Sequence, residues 1–195
     1  NLFTSYQNQY ASAGKVVAVN GIPSGDYPPE VDFVFDKNKV SDYTTAAEHI
    51  NANDFQVVNL QHEFGLFGGP EGRHIAQLLE KLKKPVVTTI HTVLQQPTLG
   101  YYTSLTEVIQ RSQRVVVMSN KAIEILSEVY YVPPEKIVMI PHGVPDLPFV
   151  ETEPFKKELG LAGRFVLLSF GLLSPGKGFE LLLEALPEVA RNHPD

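Results

Sequence analysis

Three stretches of this chain combine polar or charged side chains with glycines in patterns that could do chemistry. The first is Gln61-His62-Glu63-Phe64-Gly65-Leu66-Phe67-Gly68-Gly69. A histidine beside a carboxylate can bind sugar hydroxyls or act as acid or base. Glycines such as Gly65, Gly68 and Gly69 let the backbone approach a ligand or turn sharply. The plainer alternative is that His62 and Glu63 tie the loop down by internal hydrogen bonds. The run is not the zinc-protease pattern H-E-x-x-H, because Leu66 stands where the second histidine belongs. The second stretch is Ile90-His91-Thr92, in which His91 would point into the same cleft as His62; a packed, hydrogen-bonded histidine is the alternative. Joining His62, His74 and His91 into a metal site is a weak reading, since His74 falls on a helix among surface residues.

The third stretch is Gly171-Leu172-Leu173-Ser174-Pro175-Gly176-Lys177-Gly178. A strand is expected before it and a helix after it, so backbone N–H groups and a helix N-terminus would face an anion, with Lys177 adding a full charge. A structural turn with a solvated lysine is the competing account. Gly171, Gly176 and Lys177 also fit the phosphate loop G-x-x-x-x-G-K-[ST], but Gly178 stands where that loop needs a hydroxyl to hold magnesium. A phosphotransferase or ATPase is therefore the runner-up enzyme class, and a non-catalytic sugar- or nucleotide-binding module the runner-up outside catalysis. His142, in Pro141-His142-Gly143-Val144, either lines an interdomain cleft or bonds the backbone. His49 and His193 read as solvated.

The elements that must position these groups alternate strand and helix. Leu2, Phe3, Tyr6 and Tyr10 share a helical face. Lys15–Val19 reads as a strand, Gly21–Pro29 as a turn-rich loop and Val31–Phe35 as a second strand. Ser41 is placed to cap a helix carrying Tyr43, Ala46, Ala47 and Ile50. Phe55–Leu60 is a strand, Gln61–Gly72 a loop, and Ile75, Leu78, Leu79 and Leu82 mark a helix. Strands at Pro85–Ile90, Arg114–Met118 and Ile137–Ile140 alternate with helices over Leu99–Ser112 and from a Ser119 cap to Val129. Runs that are apolar throughout are covered on both faces, and alternation with helices makes the sheet mostly parallel. Ligands in such sheets bind beyond the carboxyl ends of the strands, which selects the loops after Leu60, Ile90, Met118, Ile140 and Phe170.

The prolines at 141, 145, 148 and 154 break this rhythm and read as a linker. A short helix at Phe155–Leu159, a strand at Arg164–Phe170 and a helix over Gly178–Ala190, bent or shortened at Pro187, would then open a second domain. The expected organisation is residues 1–145 as one Rossmann-like domain, and 146–195 as a linker plus the start of another.

The chain has 195 residues, 43% hydrophobic and 19% charged, enough to bury a core. It lacks any run of about 18 apolar residues, so no spanning helix is expected. A net charge of −6 argues against a broad nucleic-acid footprint. Without cysteine there is no disulfide, thiolate zinc site or cysteine nucleophile, which fits a reducing cytoplasm.

Taken in order, VVNLQHEFGLFGG at 57–69, PVVTTIHTVL at 85–94, RVVVMSNKAIEIL at 114–126, VPPEKIVMIPHGVPD at 132–146 and LLSFGLLSPGKGFELLLEALP at 167–187 resemble family 4 of the nucleotide-sugar glycosyltransferases. The resemblance covers nearly the whole chain. It implies a GT-B fold of two Rossmann-like domains, the first binding the acceptor and the second the nucleotide sugar. It implies transfer of a hexose, such as mannose or glucose, with retention and without a metal or other cofactor. His91 falls on the family's histidine near the donor sugar, and Lys177 on the lysine of the donor diphosphate site, with Gly171, Gly176 and Gly178 around it. His62, Glu63, Gly65, Gly68 and Gly69 fall in the acceptor-side loop. The implied partners are the donor and a carbohydrate or lipid-linked acceptor, the latter with peripheral membrane contact.

Leu172 stands where many relatives carry an arginine, which removes one diphosphate contact. The family's first strand with its glycine-rich loop would precede Asn1, and its two donor-holding glutamates would follow Asp195. The chain therefore reads as a piece of a longer enzyme. Alone it is expected to be inactive and weak in donor binding, with Leu167, Leu168, Leu182 and Leu186 exposed and a tendency to self-associate through strand edges.

Overall fold

The computed structural model describes residues 14–20, 27–171, 173 and 177–193. The helical face of Leu2 to Tyr10, most of the Gly21–Pro29 loop, Leu172 and Gly176 lie outside them. Two compact units meet at Gly143/Val144.

In the first unit, β1 (Val16–Asn20) pairs in parallel with β2 (Val31–Asp36). A four-stranded parallel sheet follows in the order β3 (Val58–His62), β4 (Val86–Ile90), β5 (Arg114–Val117) and β6 (Ile137–Met139). Between them run α1 (Val40–Ala52), α2 (Ile75–Lys81), α3 (Leu99–Arg111) and α4 (Asn120–Glu128). The register pairs Val58 with Val86, Leu60 with Thr88 and Thr88 with Val115. Alternation at a period of two therefore turns all of these side chains to one face.

That face carries two apolar clusters. Tyr43, Ala46 and Ala47 of α1 and Ile75, Leu78 and Leu79 of α2 pack on Phe35 and Val86. Leu105 and Ile109 of α3 and Ile125 and Leu126 of α4 pack on Ile90, Val115 and Val117. Thr88, a buried polar residue on this face, is satisfied by Ser112 Oγ at 2.7 Å, and Ser112 in turn donates to the Val108 carbonyl.

Side-chain caps start two of the described helices. Thr98 and Ser119 accept from the amides of Tyr101 and Ala122. Ser41 does not cap α1; the helix begins one residue earlier, at Val40, with Lys39 as an N-cap that offers no side-chain bond. Its first turn is held by Asp42, paired with Lys39 Nζ at 2.8 Å, a placement that suits the positive helix end. His49 is not merely solvated, because Nε2 meets Asp32 at 2.7 Å and the ring stacks on Phe33.

The second unit is thinner. A short helix α5 (Glu153–Glu158) is tied to the turn after it by Gly163 N–H donating to Glu153 and Lys156 Nζ donating to the Arg164 carbonyl. Residues 164–170 do not form the expected strand; among the described residues no strand pairs with them, and Phe165 is 93% and Phe170 88% exposed. Leu167 and Leu168 are exposed as expected, whereas Leu182 and Leu186 are half-buried. Helix α6 (Phe179–Asn192) runs through Pro187 rather than being shortened there. The carbonyl that Pro187 cannot serve belongs to Leu183, which is 65% exposed and open to solvent.

Candidate functional site

β3 ends at His62, two residues later than the sequence pattern predicts, and this shift decides the site. Because Gln61 and His62 belong to the strand, they point to opposite faces. His62 follows Val58 and Leu60 inward and is fully buried, with its ring edge-on to Phe64 and near Phe67. Neither ring nitrogen has a hydrogen-bond partner. Burial lowers its pKa to about 4, only partly offset by Glu63 and reinforced by His91, so it is neutral at pH 7. The sequence reading placed His62 beside His91 in one cleft; the structure separates them across the sheet.

His91 lies on the other side, exposed, just beyond the carboxyl end of β4. Its Nε2 meets Gln61 Oε1 at 2.8 Å. Gln61 Nε2 donates to Asn59 Oδ1 at 3.1 Å, and Thr89 Oγ1 donates to the same oxygen at 3.4 Å. The His142 ring centroid is 6.3 Å from that of His91, so two imidazoles border this polar edge. Gln61 and Asn59 were not singled out from sequence, although Asn-x-Gln in an otherwise apolar strand signals a polar outer face.

Glu63 also stands at this edge, with both oxygens engaged inside the chain. Oε1 accepts from the Phe64 amide at 3.0 Å, and Oε2 accepts from the Thr92 hydroxyl at 2.6 Å. It thereby starts a 3-10 turn at Phe64–Leu66 and ties the loop after β3 to the loop after β4. The glycines separate by role. A Cβ at Gly68 would lie 1.9 Å from the Lys37 carbonyl oxygen, and one at Gly69 would enter the His74 ring. Gly68 N–H also donates to the Tyr43 hydroxyl at 2.9 Å. These two glycines serve close approach of the chain to itself, not the expected approach to a ligand. Gly65 faces open space and is free to border one. His74 packs edge-on to Tyr43 and is spent on that contact.

In the second unit, Gly171 has φ +141° and Gly178 has φ +74°, both in the region that favours glycine. Gly178 caps α6 without a side-chain bond. Lys177 and Gly178 line an open concavity of ≈ 500 Å³ together with Ser169, Gly171, Phe179 and Leu182. A cation beside the first amides of a 14-residue helix is an arrangement suited to an anion.

Open parallel α/β sheets bind ligands beyond the carboxyl ends of their strands, and the polar groups of this chain gather at that edge. The comparisons make this specific. The profile of Glycosyltransferase Family 4 matches residues 7–146, and the chain belongs to that family. The crystal structure of a glycosyltransferase from Rickettsia africae ESF-5 superposes with a TM-score of 0.63 at 18% identity, covering 95% of this chain and 52% of that one. The fold class is accordingly α/β and GT-B-like. Spore coat protein SA of Bacillus subtilis (strain 168) is 46% identical over 43 residues, 22% of this chain and 11% of that protein. The chain thus spans about half the length of its structural neighbour and a small part of its curated relative. Among the described residues no helix is long and apolar enough to cross a membrane, and no three acidic or histidine side chains are grouped to hold a metal ion.

Proposed function

We propose that the full-length protein transfers a hexose from a nucleotide-diphosphate sugar to a carbohydrate or lipid-linked acceptor, with retention of configuration and without a metal. The observation that carries this reading is His91, exposed and oriented at a strand end, in a chain that belongs to a glycosyltransferase family. His91 orients a hydroxyl of the donor sugar. Lys177 and the first amides of α6 take up the negative charge that builds on the diphosphate as the sugar–phosphate bond breaks. Gly65 and the turn that Glu63 holds border the acceptor. His62, being interior, supports this turn through Phe64 and Phe67 and does not touch substrate.

The test is turnover of the full-length protein against a panel of nucleotide sugars, with product anomer read by NMR. Lys177→Ala should lower kcat by an amount worth roughly 2–4 kcal/mol of barrier, with acceptor KM little changed. His91→Ala should lower it at least about tenfold. Unaltered turnover in both variants, or an inverted product, would defeat the reading. A requirement for magnesium would favour the phosphotransferase alternative.

A further inference from the structure

The side chains around His91 form a directed chain. Thr89 Oγ1 and Gln61 Nε2 both converge on Asn59 Oδ1, at 3.4 and 3.1 Å. That leaves Gln61 Oε1 facing His91 Nε2 at 2.8 Å. A carboxamide oxygen can only accept. With Gln61 turned this way, Nε2 carries the imidazole proton and Nδ1 keeps its lone pair. A reversed Gln61 would offer NH₂ to His91, and Nε2 would then have to be the bare nitrogen. The tautomer of His91 is thus linked to the orientation of an amide on the neighbouring strand.

The backbone keeps this link short. Gln61 pairs in register with Thr89, and His91 N–H donates to the His62 carbonyl at 3.0 Å, so β3 and β4 run together up to the ring. Asn59 and Gln61 are two apart on one strand, which puts both on the outer face. Their partners Thr89 and His91 are likewise two apart on the next chain segment. The interior offers no equivalent device, since His62 has neither nitrogen bonded.

We propose that Gln61 is a positioning residue for His91, joined through its amide to Asn59 and Thr89 in one hydrogen-bonded chain. The chain fixes the Nε2–H tautomer and turns the bare Nδ1 outward as an acceptor for a hydroxyl group. The use of that acceptor toward a sugar rests on the transferase reading; the tautomer and its control do not.

The experiment is ¹⁵N NMR of histidine-labelled 195-residue chain at neutral pH. In the unaltered chain the His91 spectrum should show the Nε2–H form with its ring proton in slow exchange. Gln61→Leu should raise the Nδ1–H share severalfold and speed exchange of the ring proton roughly two- to tenfold, the worth of one net hydrogen bond. Gln61→Glu restores an acceptor and, recorded at a pH high enough to keep the ring neutral beside a carboxylate, should restore the first pattern. Gln61 is exposed, so neither variant disturbs the core. A dominant Nδ1–H form in the unaltered chain, or a Gln61→Leu spectrum identical to it, overturns the proposal. In the full-length enzyme, Gln61→Leu should lower kcat while leaving KM in place, and Gln61→Glu should recover part of the loss. If the NMR pattern holds but His91→Ala leaves turnover intact, the transferase role of His91 fails and the tautomer control stands.

Discussion

The runs Arg114–Val117 and 164–170 are alike in sequence, each an arginine leading into apolar residues, yet they end in opposite states. β5 lies between β4 and β6, with Val115 and Val117 at zero exposure. Among the described residues no strand pairs with the 164–170 run, and Leu168 stands 79% exposed. Apolar content gives a segment the capacity to be a strand. A ladder on each side and a helix over the face make it one. The same contrast separates the helices, because α3 and α4 bury an apolar stripe whereas α6 has an equally apolar stripe and no buried residue.

The sharpest way to break this comparison is to truncate matched leucines. Leu126→Ala, in the floor of the α3–α4 cluster, should cost about 2–5 kcal/mol in urea unfolding of the first unit. Leu168→Ala should change stability by less than about 0.5 kcal/mol. A similar loss from both would show that 164–170 is packed in solution.

Acid should destabilise the first unit selectively through His62. Its folded pKa of about 4 lies below the ordinary histidine value of 6.5, so protons bind the unfolded chain more readily. The contribution is complete above pH 6.5, falls as the pH drops from there to about 4, and is constant below. The total is about 3 kcal/mol. The unfolding free energy of the parent should therefore fall relative to that of His62→Leu by about this amount as the pH drops over this window. Parallel curves would show that the ring is hydrated.

Within the loop after β3, Gly68→Ala should cost roughly 1–3 kcal/mol because the Lys37 carbonyl blocks its Cβ, while Gly65→Ala should be nearly silent in thermal melts. If Gly65→Ala preserves stability but weakens acceptor binding by the full-length enzyme, the comparison sharpens into a division between packing and ligand glycines. The smallest effect expected is at helix starts. Ser119→Ala should lose about 1 kcal/mol, and Ser41→Ala, at a position that caps nothing, only a few tenths.

The sequence by itself determined the order of strands and helices in the first unit, since apolar runs of four to six residues bounded by glycine, proline and caps have few other readings. It also marked His91 at a strand end, where the topology of a parallel sheet gathers ligand-binding groups. It could not determine on which face His62 lies, because a strand that runs two residues further reassigns every side chain in that stretch, and only pairing of His62 with Ile90 sets that end. It could not separate Gly68 from Gly65, for both permit close approach and only the fold supplies the Lys37 carbonyl that one of them meets. Tertiary structure likewise decided that Glu63 spends both oxygens on Phe64 and Thr92, and that Gln61 is the partner of His91. The Glu63–Thr92 and Gln61–His91 contacts join residues about 30 apart in the chain, and such a separation leaves no trace in local periodicity.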